Sequence, residues 1–265
     1  MVYAIYFWIV REGIIVIRAF VLFWSLLAGA GAMANAPAYP LETPDTQLCD
    51  QASLQRGAAL FVNYCMGCHS LQYVRYNSLA KGIGLVDTQG VVLDQMIKEH
   101  LNFVTDKVTD PMVIAMSPVS AADWFGAPPP DLSLVARVRG KAWIYTYLKS
   151  FYQDDSRPFG VNNAVFPQVG MPHVLVNLQG IQKPVFAQDG HTIVGFTLDK
   201  PGTLTPAQYD QVASDLANFL DYVGEPVKLE RKRLGGWVLL FSVVFLVFAY
   251  LLKREYWKDV HKPKH

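Results

Sequence analysis

With 265 residues, half of them apolar, the chain has ample material for a core, and three cysteines are too few for a disulfide-stapled fold. The formal charge of +1 conceals a division: residues 37–226 hold 12 Lys/Arg against 18 Asp/Glu, and residues 228–265 hold nine against three. An acidic middle excludes a nucleic-acid surface of the usual basic kind, and it steers basic partners over roughly a Debye length, about 8 Å at physiological salt.

Taken in chain order, the first element is the apolar run "AFVLFWSLLAGAGAMANA" after Arg18, which ends on small residues with Ala32 and Ala34 in A-x-A spacing. This predicts a secretory signal over residues 1–36, cut near Ala34, with everything up to the next apolar run exported. The 18 residues before it make an overlong n-region, as a start assigned too far upstream would; a permanent N-terminal anchor is the competing reading. No cysteine lies at the cleavage zone, so no lipoprotein is expected.

The exported domain, residues 37–226, opens with a helix capped by Asp50, on which Leu54, Ala58, Phe61, Cys65 and Cys68 step by four, three, four and three. Cys65, Cys68 and His69 read as CxxCH, the attachment signature of c-type haem. Cysteines one helical turn apart can both reach the vinyl groups of one porphyrin, with the histidine at its centre. A zinc site would need a second ligand pair, which Cys49 alone does not supply. A thioredoxin-like dithiol would follow a strand rather than a helix.

Further along, "VLDQMIKEHLNFV" places Leu93, Met96, Ile97, Leu101 and Val104 at helical spacing, with Met96 expected in the core. A short helix is expected at 120–125. The prolines of "GAPPPDLS" break the chain, and Asp131 is the expected cap of a helix interrupted at Gly140. Residues 180–197 read as a small β excursion turning at Asp189 and Gly190. Thr205, Pro206 and Gln208 form a capping box for a last soluble helix with Tyr209, Val212, Leu216, Phe219 and Val223 on one stripe.

Residues 234–252 then run uncharged for 19 positions, which at about 1.5 Å each nearly span the ~30 Å hydrocarbon core of a bilayer. This predicts a transmembrane anchor over 227–252. The basic residues flanking it are nearly tied, so the signal segment sets the orientation: haem domain in the periplasm, residues 253–265 in the cytoplasm. The expected fold is mostly α, a c-type cytochrome domain with long loops and a small β excursion, plus one C-terminal transmembrane helix.

The second axial ligand decides what such an iron does: a thioether raises the potential and suits electron transfer, whereas a second imidazole lowers it. Met66 lies inside CxxCH and cannot fold back. Met171, in "QVGMPH", is the physical choice, because Gly170 permits close backbone approach and Pro172 stiffens the loop. Met112 and Met116 stay open, and His173 is the rival in the same loop.

Together "NYCMGCHSLQYVRYN", "PPPDLSLVARVR", "RPFGVNNAVFPQVGMPH" and the final "ERKRLGGWVLLFSVVFLVFAYLLKREYWK" resemble the cytochrome c1 family, the haem subunits of bacterial cytochrome bc1 complexes. The resemblance implies one covalent haem c on Cys65 and Cys68, with His69 proximal and Met171 distal. It also implies that Pro129 and Pro130 pack by the haem and that Arg139, or else Arg137, meets a propionate. It further implies a subunit that is not an enzyme on its own. Such a subunit takes electrons from the Rieske iron-sulfur protein and passes them to a soluble or membrane-tethered cytochrome c. It stands beside cytochrome b in the membrane, within a dimeric complex. The alternative is a c-haem relay subunit of another membrane-bound dehydrogenase or oxidase. Cys49 departs from the family pattern and is expected to be a free, buried thiol, with an intermolecular bridge as the alternative.

Overall fold

The computed structural model describes residues 39–258; the expected signal segment and the end of the tail lie outside them. Helix α1 (Gln51–Tyr64) starts at the expected cap. Asp50 accepts from the Ser53 amide (3.1 Å), using one of the donors a helix start leaves unpaired, and Leu54, Ala58 and Phe61 bury one face. The periodicity predicts helix through Cys68, but α1 stops at Tyr64. There the Phe61 carbonyl accepts from both the Cys65 amide (2.8 Å) and the Met66 amide (2.9 Å), so the ladder loses register. Residues 65–68 become a turn, closed by the Cys68 and His69 amides on the Cys65 carbonyl (3.0 and 2.9 Å).

From there the chain runs through β1 (Leu71–Arg75), α2 (Tyr76–Gly82), α3 (Asp94–His100), β2 (Pro111–Met112), α4 (Pro118–Phe125), α5 (Val135–Arg139) and α6 (Lys141–Lys149). It continues through β3 (Phe151–Gln153), β4 (Val161–Asn163), α7 (Val176–Gln179), β5 (Gly180–Phe186), β6 (Ile193–Pro201), α8 (Pro206–Gly224) and α9 (Lys228–Trp257). The strands pair as three separate two-stranded antiparallel sheets, β1 with β2, β3 with β4 and β5 with β6. The fold is therefore mostly α, as expected. The foreseen β excursion is the β5–β6 hairpin, where Asp189 Oδ1 accepts from the His191 and Thr192 amides (2.9 and 2.8 Å) and Gly190 takes a φ of 71°.

The core gathers where α1 crosses α8. Thr205 and Gln208 exchange the two capping bonds, Pro206 opens the helix, and Tyr209, Leu216, Phe219 and Val223 are buried along one stripe, with Val212 packed partly buried beside them. Phe61 packs on Phe219, ring centroids 5.6 Å apart. The side chain of Asp215, 3% exposed, accepts from Arg56 Nε and Nη2 (2.7 and 2.9 Å), Ser53 Oγ (2.7 Å) and Gln211 Nε2 (3.0 Å). A Cβ on Gly57 would run into the Asp215 carbonyl and the Phe219 side chain, so the helices approach this closely only because residue 57 has none. Gly57→Ala is thus expected to destabilise by roughly 1–3 kcal/mol through overpacking, although alanine is the better helix former. Chemical denaturation checks this; an unchanged midpoint would mean that the crossing opens freely.

Four local expectations are corrected. Helix α3 ends at His100 rather than reaching Val104, because the Asn102 side chain turns back to accept from the Val104 and Thr105 amides (3.3 and 3.0 Å). So short a helix buries Ile97 but leaves Met96 39% exposed, outside the core. Asp131 does not cap α5, which begins four residues later; its carboxylate accepts instead from the Ser133 amide (2.9 Å) and, across the chain, the Gln72 amide (2.8 Å). Cys49 is free but exposed, its thiol beside Gln47 Oε1 (3.7 Å). The expected break at Gly140 is present, with a φ of 84° separating α5 from α6.

Helix α9 spans 30 residues, about 45 Å at 1.5 Å per residue. It contains the uncharged run and buries none of its side chains; among the described residues it is the one helix long and apolar enough to cross a membrane. Its first turns are tied to the end of α8. Lys228 donates to both carboxylate oxygens of Asp221 (2.9 and 3.0 Å), and Arg231 pairs with Glu225.

Candidate haem site

The turn after α1 presents Cys65 and Cys68 as free, half-buried thiols. Burial, and the neighbouring Cys68, push the Cys65 thiol up to about 12. That is the reverse of what a dithiol oxidoreductase needs, since the thiolate is its nucleophile. Among the described residues no group of three or more His, Cys, Asp or Glu is placed to share a metal ion.

His69 is buried, 9% exposed, and its Nδ1 lies 2.7 Å from the Pro130 carbonyl oxygen. A carbonyl can only accept, so Nδ1 carries the proton and donates, and the Nε2 lone pair is left for a metal. Burial lowers the His69 pKa, against smaller upward pulls from the Pro130 bond and Asp131, and so favours the neutral ring. Residues 130–133 are stapled along 69–73. The Leu132 amide donates to Ser70 O (2.9 Å), the Gln72 amide to Asp131 Oδ2 (2.8 Å) and the Tyr73 amide to Ser133 Oγ (3.2 Å). Pro129 is half-buried at the head of this run and Pro130, itself exposed, supplies the acceptor.

Met171 is half-buried in the loop after β4, and Tyr147 on α6 donates its hydroxyl to Met171 Sδ (3.3 Å). Burial pushes the Tyr147 phenol up, so it stays a neutral donor. Its ring stacks on Trp143 one turn earlier (4.9 Å, 11°), and Arg139 lies over Trp143 (5.1 Å) and Phe166 (6.0 Å). Arg137 instead reaches Glu225 (3.5 Å), while among the described residues no carboxylate pairs with Arg139. The rival His173 stacks flat on Phe151 (4.8 Å, 2°), its Nε2 buried without a partner and its pKa pushed down to about 4 by burial. Met112 is fully buried in the core on β2 and Met116 is half-buried before α4.

The structure thus brings His69 to Pro130, and Met171 to Tyr147, whose ring stacks on Trp143 beneath Arg139. Cys65, Trp143 and Tyr147 pack against the same core cluster. Tyr147, Trp143 and Phe166 escaped the sequence reading; the i, i+4 aromatic pair in "AWIYTYLK" was the available signal. Two thiols, a neutral imidazole with a free Nε2 and a thioether backed by a phenol form a donor set that fits a c-type haem.

Residues 44–260 match the Cytochrome C1 family. A cytochrome c1 from Allochromatium vinosum is 50% identical over 89% of this chain and 96% of its own length. A protein named ammonia monooxygenase gamma subunit, from Nitrosomonas europaea, is 42% identical over 91% and 98%. A mitochondrial cytochrome c1 heme protein from Neurospora crassa is 28% identical over 78% of this chain and 62% of its own. With a free-Nε2 imidazole directly behind two thiols and the family pattern running through most of its length, the chain belongs to the cytochrome c1 family, whose members carry a covalently bound haem c.

Proposed function

We propose that the chain is the electron-relaying haem subunit of a cytochrome bc1 complex, accepting electrons from a Rieske iron-sulfur protein and delivering them to a soluble or tethered cytochrome c. The carrying observation is the 2.7 Å contact between His69 Nδ1 and the Pro130 carbonyl, which leaves the Nε2 lone pair of a CxxCH histidine available to a metal. Cys65 and Cys68 would hold the haem by thioether bonds, with His69 and Met171 on opposite faces of the iron. Bound there, the haem supplies one-electron chemistry.

The chain's own residues do the rest. Cys65, His69 and the core beneath them would hold one edge of the group rigidly, which keeps reorganisation small. Tyr147 holds the thioether and draws density from its sulfur, which favours the reduced state. Arg139, which pairs with no carboxylate among the described residues, would offer its cation to a propionate. The acidic domain draws in a basic acceptor, and association weakens as salt rises. Helix α9 anchors the domain beside cytochrome b, with the haem domain on the periplasmic side and the tail inside.

The test is a pyridine haemochrome spectrum of the denatured protein after expression with cytochrome maturation machinery, followed by identification of what co-purifies from membranes. Haem is expected to stay on the chain, and to be lost in Cys65→Ala/Cys68→Ala. Colourless wild-type protein overturns the proposal. The 42% identity to a protein named as a monooxygenase subunit favours one second reading, a relay for another membrane enzyme. Co-purification of such an enzyme in place of cytochrome b and the Rieske protein would select it.

A further inference from the structure

The loop that presents Met171 is short of regular structure, yet it is not loosely held. Strand β4 pairs with β3 in register, Phe151 opposite Asn163 and Tyr152 opposite Asn162, and the chain then turns through residues 164–168. Both asparagine side chains are buried and aimed into that turn. Asn163, with no exposed surface, accepts at Oδ1 from the Val165 and Phe166 amides (3.0 and 3.1 Å) and from Ser150 Oγ (3.1 Å). Its Nδ2 donates to the Tyr147 carbonyl (2.7 Å). Asn163 therefore ties the turn to the very residue whose hydroxyl reaches Met171 Sδ.

Asn162 grips the other end. Its Oδ1 accepts from the Gln168 amide (2.9 Å), and its Nδ2 donates to Asp154 Oδ2 (2.9 Å). Gln168 is the one non-glycine residue with positive φ among those described, at 61°, a conformation that L side chains rarely adopt and that costs energy to hold. Support comes from two sides: Asn162 holds its amide, and Arg157 Nη2 donates to its carbonyl (3.0 Å). Val169 follows, buried, and then Gly170 and Met171. The direction in which the chain leaves residue 168 sets where the sulfur arrives.

We infer that Asn162 and Asn163 are positioning residues that fix the Met171 thioether, by bracketing the strained turn at Gln168 and anchoring it to Tyr147. The inference rests on Met171 as the distal ligand and says what keeps it there. Side-chain carboxamides suit the task because each offers an acceptor for backbone amides and a donor for a backbone or carboxylate oxygen. Without the bracket, residue 168 relaxes towards negative φ and the sulfur leaves the iron for part of the time.

The test uses the haem-loaded, full-length protein with Asn162→Ala and Asn163→Leu, read by the sulfur-to-iron charge-transfer absorption of the oxidised form, by redox titration and by carbon monoxide binding to the reduced form. Asn162→Ala is expected to lose more than half of the absorption and to bind carbon monoxide. Its potential should fall by a tenfold equilibrium shift, 59 mV for a one-electron couple. Haem content should stay at the wild-type level, because the cysteines are untouched. If Asn163→Leu fails to fold, Asn162→Ala decides alone. A variant with wild-type absorption and potential and no carbon monoxide binding overturns the inference while leaving the ligand assignment standing. If the wild-type protein itself lacks the absorption, the ligand assignment has failed and the inference falls with it.

Discussion

Met171→Leu is expected to abolish the sulfur-to-iron charge-transfer absorption and to lower the potential by on the order of 200 mV, within the ~0.8 V that axial ligation spans. The sign follows from ligand chemistry. A thioether is a soft, weak donor that favours the reduced iron, and leucine offers nothing in its place. What fills the position afterwards also pushes downward. His173 lies two residues on, held neutral by burial, its Nε2 buried and unpartnered, so a local rearrangement can bring an imidazole to the metal. Two imidazoles give a lower potential than imidazole with thioether. Redox titration of the purified variant checks the shift. A variant that keeps both absorption and potential transfers the ligand role to Met112, Met116 or His173.

Asp215→Ala is the substitution expected to cost most stability, roughly 3 kcal/mol, the low end of what breaking a buried charge pair costs. The low end applies because Arg56, half-exposed, can turn to water when its partner goes. Ser53 Oγ cannot turn away as easily: it sits in the crossing of α1 and α8, where it also accepts from Asn218 Nδ2 (3.0 Å). Asp215→Asn keeps the shape and an acceptor, and should recover about half of the loss. Denaturant unfolding of both variants measures this. A loss under about 1 kcal/mol for Asp215→Ala would show that the network contributes little net stability.

What could be read beforehand was what neighbouring residues decide between themselves. Asp50, Thr205 and Gln208 act on amides three positions away, so their caps were legible. The CxxCH chemistry is legible for the same reason. Asp131 shows the limit: beside the Ser133 amide two positions on, its carboxylate takes the Gln72 amide 59 positions back, and no local rule announces that partner. The hydroxyl of Tyr147 on Met171 and the carboxamide of Asn163 on Tyr147 depend on β3 and β4 folding against α6, a tertiary fact absent from any short window. Met96 failed for another reason. Its spacing was helical, but α3 is too short to bury a whole stripe.

The acceptor that fixes the His69 tautomer is a main-chain oxygen, on a residue with no amide hydrogen of its own to divert it. No replacement at position 130 can delete that oxygen, so the imidazole's protonation pattern is insulated from the commonest kind of genetic error at its own contact. Vulnerability is displaced to Asp131 and Ser133, whose side chains hold the strip of backbone in place.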